Sequence, residues 1–415
     1  MYQNDIGEPI EIDIAIIGAG PAGIAAAIEL SKLGHDKNML VFDRENQVAM
    51  TSRHCDHQGF GLMEFYRPMT GLDYAMTLER KAKEHSVAIK LKHSLTHING
   101  DILTFSTIDG EIKYIAKRIL FAMGARETTR SSMAISGGRS PNIITTGALQ
   151  RFVHIHHRKP FNKAVIIGSE IVSFSAIMTA REAGIEVTGI IEEEDKIKSF
   201  SILSYASKYL LKTPVHTSTK LLSINTEDKE VKSITISKNN TEQTIECDAV
   251  IFSGGFVPES SLLQKHLHDF NLLNRSTDIT HNFQTKDKRY FLAGNVIRGA
   301  LTAFNCYFEG KKAGIAIHKS LQKNDIPITV KIEIGGAIGW CYPTLIECNK
   351  KQKYLCKIRF PKHTKGVLNI LLNDKEVMRQ EISAVPYLSI TVDWFNIPIK
   401  KSDRLEVTYK EEQKS

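Results

Sequence analysis

The chain has 415 residues, which at about 150 residues per domain predicts two to four domains with at least one large core. Its 42% hydrophobic and 24% charged residues, with 27 Gly and 12 Pro, exclude a disordered, collagen-like or low-complexity chain. The net charge of +8 is uneven, since the residues from Ile326 onward hold 15 Lys and Arg against 10 Asp and Glu. Such a surplus attracts nucleic acid, anionic lipid or an acidic protein, but pairs such as Lys350-Lys351 and Lys400-Lys401 read as a solvated face. No aromatic-basic recognition motif accompanies them, so no nucleic-acid partner is expected.

The opening Met1-Tyr2-Gln3-Asn4-Asp5 lacks a basic, then apolar, leader pattern, so no secretory signal is expected. No uninterrupted run of about 18 apolar residues predicts a membrane span. The six cysteines, at 55, 247, 306, 341, 348 and 356, include no pair separated by two residues. Neither a zinc ribbon nor a Cys-x-x-Cys redox pair is therefore expected, and a reduced, cytoplasmic setting without a metal fits.

In chain order, β-like apolar runs (IDIAII, NMLVF, RILFAMG) alternate with helical pattern (PAGIAAAIELSKLG, YAMTLERKAKEH), the signature of an α/β sheet. The connector HIHHRKPFNK leads into a second unit of the same plan: strand AVIIG, helix SEIVSFSAIMTAREAG ended by Gly184, strand IEVTGII. His154, His156 and His157 in that connector read as solvated linker. From about Thr329 short alternating strands (VKIEIGG, YLCKIRF, VLNILLN, YLSITV, RLEVTY) predict a small all-β domain.

Gly18-Ala19-Gly20-Pro21-Ala22-Gly23 follows the first strand and opens a helix, the context that makes this glycine spacing informative. Gly18 permits a tight turn, Gly20 lets backbone approach a pyrophosphate, and Gly23 lets helix and strand pack closely. Asp43 ends the next strand, where a carboxylate meets a ribose hydroxyl. The second unit departs from this pattern. It reads Gly168-Ser169-Glu170-Ile171-Val172-Ser173, with Glu170 at the middle glycine. A carboxylate there adds bulk and repulsion toward a pyrophosphate, two charges about 4 Å apart repelling by about 4 kcal/mol at an effective dielectric near 20. Glu192 at the end of the following strand nevertheless suits an NAD ribose, so NAD binding stays open as weak or absent.

Residues 1–325 resemble the two-dinucleotide-binding-domain flavoproteins, the glutathione-reductase-like superfamily. FAMGARE at 121–127 is similar to its strand-to-turn Ala-Thr-Gly motif, YFLAGNV at 290–296 to its Ala-Gly-Asp motif with Asn295 for Asp, and VIFSGGFVP at 250–258 to its returning strand. The resemblance implies FAD held by Gly18, Gly20, Pro21, Ala22, Gly23, Asp43, Gly124, Gly294 and Asn295. It also implies that the helix opened by Phe304-Asn305-Cys306 faces the flavin. The stretches RHCDHQGFGLMEFYRPMTGLDYA, ITTGALQRFV and AGNVIRGALTAFNCYFEG resemble a branch without a redox disulfide. Its members accompany glycerol-3-phosphate- or hydroxy-acid-dehydrogenase-like flavoproteins, with relatives in opine, sarcosine and proline oxidation.

Only Cys55 lies where disulfide reductases of that superfamily carry a cysteine pair, so no dithiol relay is expected. Around it, Arg53, His54, Cys55 and His57 form a polar cluster in which either histidine suits proton transfer and Arg53 suits an anion clamp. The expected fold is α/β, with two Rossmann-like dinucleotide-binding domains and a small C-terminal all-β domain. The FAD domain takes residues 1–155 and 288–325, an inserted NAD(P)-type domain 156–287, and the β domain 326–415. The expected function is an FAD-dependent oxidoreductase passing a hydride or electrons between a small amine or hydroxy acid, or NAD(P)H, and a second acceptor. The alternative is an electron-relay or assembly subunit beside a partner flavoprotein or iron-sulfur subunit.

Overall fold

The computed structural model describes residues 8–198, 213–267, 270–271, 275–299, 301–323, 328–348, 354–386, 389–394 and 398–411. The opening Met1–Asp5, Ala300, the boundary at 325–326 and the pair Lys350-Lys351 lie outside the described residues. The chain folds as two compact units, one formed by residues 1–50, 76–125 and 258–415, the other by 51–75 and 126–257.

The first unit begins with β1 (Ile10–Ile17), α1 (Pro21–Lys32) and β2 (Met39–Phe42). Helix α2 (Gly71–Glu84) leads to β3 (Ala88–Lys90), β4 (Ser94–Asn99), β5 (Ile102–Thr107) and β6 (Gly110–Phe121). Strand β1 sits between β2 and β6, parallel to both, with Ile17 level with Phe42 and Phe121. Its Ile14, Ala15 and Ile16 are fully buried, as a central parallel strand covered on both faces requires. β4 and β5 extend the sheet antiparallel beyond β6.

The second unit is built on β7 (Ile143–Thr145), α3 (Thr146–Gln150), β8 (Lys163–Ile167), α4 (Ile171–Glu182), β9 (Glu186–Ile191) and β10 (Val215–His216). A meander follows, β11 (Thr219–Glu227), β12 (Glu230–Lys238) and β13 (Thr241–Glu246), before β14 (Ala249–Phe252) returns to the parallel sheet. That sheet runs β10-β9-β8-β14-β7 and repeats the plan of the first, with β8 central. Two apolar clusters flank it, one holding Ala164, Ile166, Phe174 and Ile190, the other Val165, Leu221, Ile234 and Val250. His154 belongs to a short π-helical turn, Arg151–Ile155, where the sequence predicts linker.

Back in the first unit, β15 (Tyr290–Leu292) joins β6 in parallel, and the long α5 (Ala303–Gln322) packs against α1. The C-terminal strands are β16 (Thr329–Ile334), β17 (Trp340–Tyr342), β18 (Leu345–Glu347), β19 (Tyr354–Arg359), β20 (Thr364–Leu372), β21 (Lys375–Ala384), β22 (Ser389–Trp394) and β23 (Leu405–Glu411). They form sheets ordered β18-β16-β23-β20-β21 and β17-β19-β22 around one core that includes Ile332, Ile358, Leu368, Val392 and Val407, a β-sandwich. The architecture is thus α/β with two Rossmann-like sheets and a C-terminal β domain.

Candidate functional site

The turn after β1 is the best-built ligand feature of the first unit. Gly18 has φ +112°, and a Cβ on it would lie 2.4 Å from the Ala122 carbonyl oxygen. Gly23 is packed harder still, since its Cβ would stand 1.8 Å from the Gly18 oxygen. At Gly20 the space is open, with nothing within 4 Å of a Cβ. Gly20 caps α1 without a side-chain hydrogen bond, and Pro21 takes the first helical position. The Ala22 and Gly23 N–H groups of that first turn therefore have no acceptor inside the helix.

Asp43 closes the turn. Its carboxylate accepts from the Ala19 N–H at 2.6 Å and the Glu45 N–H at 2.9 Å, while burial pushes its pKa upward against those bonds. Beside it opens a cavity of about 380 Å³ lined by Gly18, Phe42, Asp43, His93, Leu95 and Met123 among others. A chamber walled by Ile17, Phe42, Leu95, Met123 and Leu262, with Asp43, Glu259, Arg44 and Lys265 also in its lining and the N-terminal end of α1 beside it, fits the adenosine and pyrophosphate of FAD. Gly124, at φ +77°, follows Met123 of this lining. Gly294, at φ +76°, packs on α1, where its Cβ would come within 3.0 Å of Ala22. Asn295 departs from expectation: its Oδ1 accepts from the Leu301 N–H at 2.7 Å and its Nδ2 donates to the Leu301 carbonyl at 3.3 Å. The amide ties its own loop together and keeps one N–H and one lone pair for a ligand. The helix expected near Phe304 begins at Ala303 and is capped by the Thr302 hydroxyl, which accepts from the Asn305 N–H.

The turn after β8 repeats the first with its ligand features filled in. Gly168 has φ +103° and approaches the Ser253 oxygen as Gly18 approaches Ala122. Glu170, in the place of Gly20, is buried and accepts from the Gly255 N–H at 2.7 Å. Ser173, in the place of Gly23, donates to Ser253 at 3.0 Å. Glu192 is 1% exposed; it accepts from the Ser169 N–H and hydroxyl and pairs with Lys198 at 3.1 Å. Backbone N–H groups hold Glu192 as they hold Asp43, but Glu192 is closed off from solvent and also bonds the Ser169 hydroxyl and Lys198, which leaves it less room for a ribose than the partly exposed Asp43.

The cluster Arg53, His54, Cys55 and His57 belongs to the second unit, whereas the glycine set belongs to the first. The Cys55 thiol lies within hydrogen-bond reach of the Thr51 carbonyl and the Gln150 side-chain oxygen. Its pKa is pushed up to about 12 by burial and by the nearby Glu127 carboxylate. His54 Nδ1 lies 3.4 Å from the Gly147 carbonyl. The His57 ring stacks on Phe60, and burial lowers its pKa, so the imidazole is neutral near pH 7. Glu127 escaped the sequence reading although it ends the quoted FAMGARE segment. It is a buried carboxyl whose pKa is raised by desolvation, with one oxygen accepting from the Gly147 N–H at 2.7 Å and the other without a hydrogen-bond partner among the described residues. Its only sequence signal is an acid directly after a strand-to-turn glycine motif. Asp56, His154 and Glu182 also converge, their ligand atoms within 4.8 Å of one another, with both carboxylates exposed as acids commonly are without an ion.

Comparison with known proteins follows the same lines. Mitochondrial dihydrolipoyl dehydrogenase of Bos taurus is 24% identical over 371 residues, covering 78% of this chain and 70% of that protein. NAD-dependent dihydropyrimidine dehydrogenase subunit PreT of Salmonella typhimurium is 24% identical over 321 residues, covering 75% of this chain and 68% of that protein. Among solved structures, T. acidophilum thioredoxin reductase superposes with a TM-score of 0.61 at 17% identity, covering 75% of this chain and 99% of that one, a likeness of fold. No described helix is long and apolar enough to cross a membrane. With the pyridine nucleotide-disulphide oxidoreductase family model matching residues 12–322, the chain belongs to that family of FAD-dependent, Rossmann-fold oxidoreductases.

Proposed function

We propose that this chain carries electrons through FAD between a small amine or hydroxy acid, or NAD(P)H, and a second acceptor, without a redox disulfide. The observation that carries this reading is the first glycine turn, with open space over Gly20, an α1 N-terminus that has no side-chain cap, and Asp43 in the lining of the adjoining cavity. Gly18, Gly20, Pro21, Ala22 and Gly23 would hold the pyrophosphate, and Asp43 a ribose hydroxyl. Gly124 and Gly294 allow close backbone approach, and the spare amide capacity of Asn295 serves the ribityl chain. FAD, when bound, supplies the capacity to accept a hydride and to pass its electrons on. By function we assign residues 1–155 and 288–325 to FAD, 156–287 to the inserted domain and 326–415 to the β domain, while by packing 51–75 and 126–155 go with the second unit and 258–287 with the first.

In the second unit, Arg53 suits a substrate carboxylate, and neutral His57 suits the substrate's proton. His54 and the carboxyl of Glu127 hold the Gly147 turn from its carbonyl and N–H sides. Cys55 contributes a thiol donor, because a thiol titrating near 12 holds almost no thiolate at neutral pH. The chain therefore parts from disulfide reductases at the chemical step.

One observation favours a relay subunit as the second reading: Glu170 and Glu192 bond the chain's own donors at the second dinucleotide turn, which leaves NADH a poor seat. PreT, one of the relatives, is itself named as a subunit. Anaerobic titration of the purified flavoprotein with NADH, NADPH and a panel of amino and hydroxy acids tests both readings. Bleaching of the flavin by one metabolite supports the enzyme; bleaching only with a partner dehydrogenase present supports the relay. A chain purified without flavin that takes up none on adding FAD overturns both.

A further inference from the structure

Helix α5 carries Lys312, Ile315, Ala316 and Lys319 on one side, spaced by three and four residues. Tyr342, Pro343, Leu355 and Lys357 of the sandwich face them, together with His281 and Phe283 of the stretch before β15. These residues line a cavity of about 370 Å³, within the size range of small-molecule sites. Among the described residues, three ammonium groups and an imidazole meet there with a single lining carboxylate, Glu309. That carboxylate is already committed: Glu309 pairs with buried Arg298, accepts from the Gly294 N–H at 3.3 Å and stands 3.7 Å from Lys357. His281 is answered by Glu347, 3.9 Å away. Lys312 and Lys319 have no carboxylate partner among the described residues. The excess of cation is felt at Lys357, whose pKa falls to about 8 through burial and then repulsion from Arg298 and Lys312. The apolar part of the wall comes from Ile315, Leu355 and the stacked rings of Phe283 and Tyr342, 5.6 Å apart.

We propose that this cavity binds a small organic dianion, a phosphorylated or dicarboxylate metabolite, with its charges on Lys312, Lys319 and Lys357 and its apolar body against Tyr342, Ile315 and Leu355. The site is separate from the glycine turn that holds FAD and does not depend on that assignment.

Isothermal titration of the full-length flavoprotein with phenyl phosphate, ATP and succinate, at low and high salt, tests it. The expected result is saturable, salt-sensitive binding of at least one probe, with the phosphate and carboxylate arms identifying the source. The double substitution Lys312→Ala/Lys319→Ala weakens that binding about tenfold or more while FAD content and thermal midpoint stay unchanged. Both lysines are exposed on the helix, so the variant keeps its fold. Absence of binding at about millimolar probe, binding that the double substitution leaves unchanged, or binding of an acidic peptide alone overturns the proposal.

Discussion

Gly20 and Gly23 stand three residues apart on one turn and answer to different demands. Gly23 is required by the fold, because its Cβ would collide with the Gly18 carbonyl, and Gly23→Ala should cost on the order of 3 kcal/mol. Gly20 has φ −78° and ψ −176°, a conformation open to any residue, and empty space where its Cβ would go. Gly20→Ala should therefore change stability by less than about 1 kcal/mol while lowering FAD affinity about tenfold or more, read as flavin content and a fluorescence titration. A Gly20→Ala protein that purifies with full flavin would falsify the cradle assignment. Cys55 gives a second residue-scale expectation. With its pKa near 12 against about 8.5 for a free thiol, its thiolate at pH 8 is roughly a thousandfold scarcer. Iodoacetamide labelling followed by mass spectrometry should find Cys55 slower than a free cysteine by at least that factor, with labelling rising as pH increases. Fast modification near neutrality would return Cys55 to thiol chemistry.

At the scale of elements, the two strand-turn-helix units show what a sequence reveals and what it withholds. Each strand, each helix start and the displaced glycine at Glu170 are local features, legible from apolar runs and spacing. So are the tight hairpins at Asn239-Asn240 and Asn373-Asp374, whose positive φ angles suit Asn and Asp. The partners of Glu170 were not legible, because Gly254 and Gly255 arrive from a strand end 84 and 85 residues later and only the fold sets them beneath the carboxylate. The surroundings of Glu192 were hidden for the same reason. Its place at a strand end matches Asp43, but Lys198 and Ser169 complete its bonding, and their convergence is tertiary. Sequence reasoning alone predicts that Glu170→Gly improves NADH binding. The geometry predicts instead that it strands the Gly255 N–H, costing about 1–3 kcal/mol, and leaves flavin reduction by NADH as slow as before. Thermal melts with stopped-flow mixing check both halves, and fast saturable reduction in the variant would show that the acid alone had blocked the site.

Over the whole molecule, the β-sandwich lies beyond the residues matched by the family model, yet it belongs to the same compact unit as the glycine turn after β1. The join is chemical. Arg298, 5% exposed, has its guanidinium 4.8 Å from the Trp340 ring and 5.0 Å from the Tyr342 ring, both on β17 of the sandwich. Its carboxylate partner is Glu309 on α5, which also receives the Gly294 N–H at the turn before Asn295. Its Nε and Nη1 find no hydrogen-bond acceptor among the described residues, so the aromatic faces supply much of what offsets burial of the charge. Removing the sandwich would uncover Arg298 and leave Glu309 and the Gly294 turn without their backing. Truncation after residue 323 should therefore give a protein that loses flavin and aggregates, even though it retains the whole family-matched segment. Because truncation also exposes α5, Trp340→Ala is the sharper test: it should cost about 3–5 kcal/mol from lost packing and cation–π contact. Its flavin should also be released at lower temperature than in an equally destabilised sandwich-core variant such as Leu368→Ala, which lies in the same β-sandwich core but not against Arg298. Equal flavin release from the two variants at matched stability would mean that the sandwich supports the FAD unit only through general stability and not through Arg298.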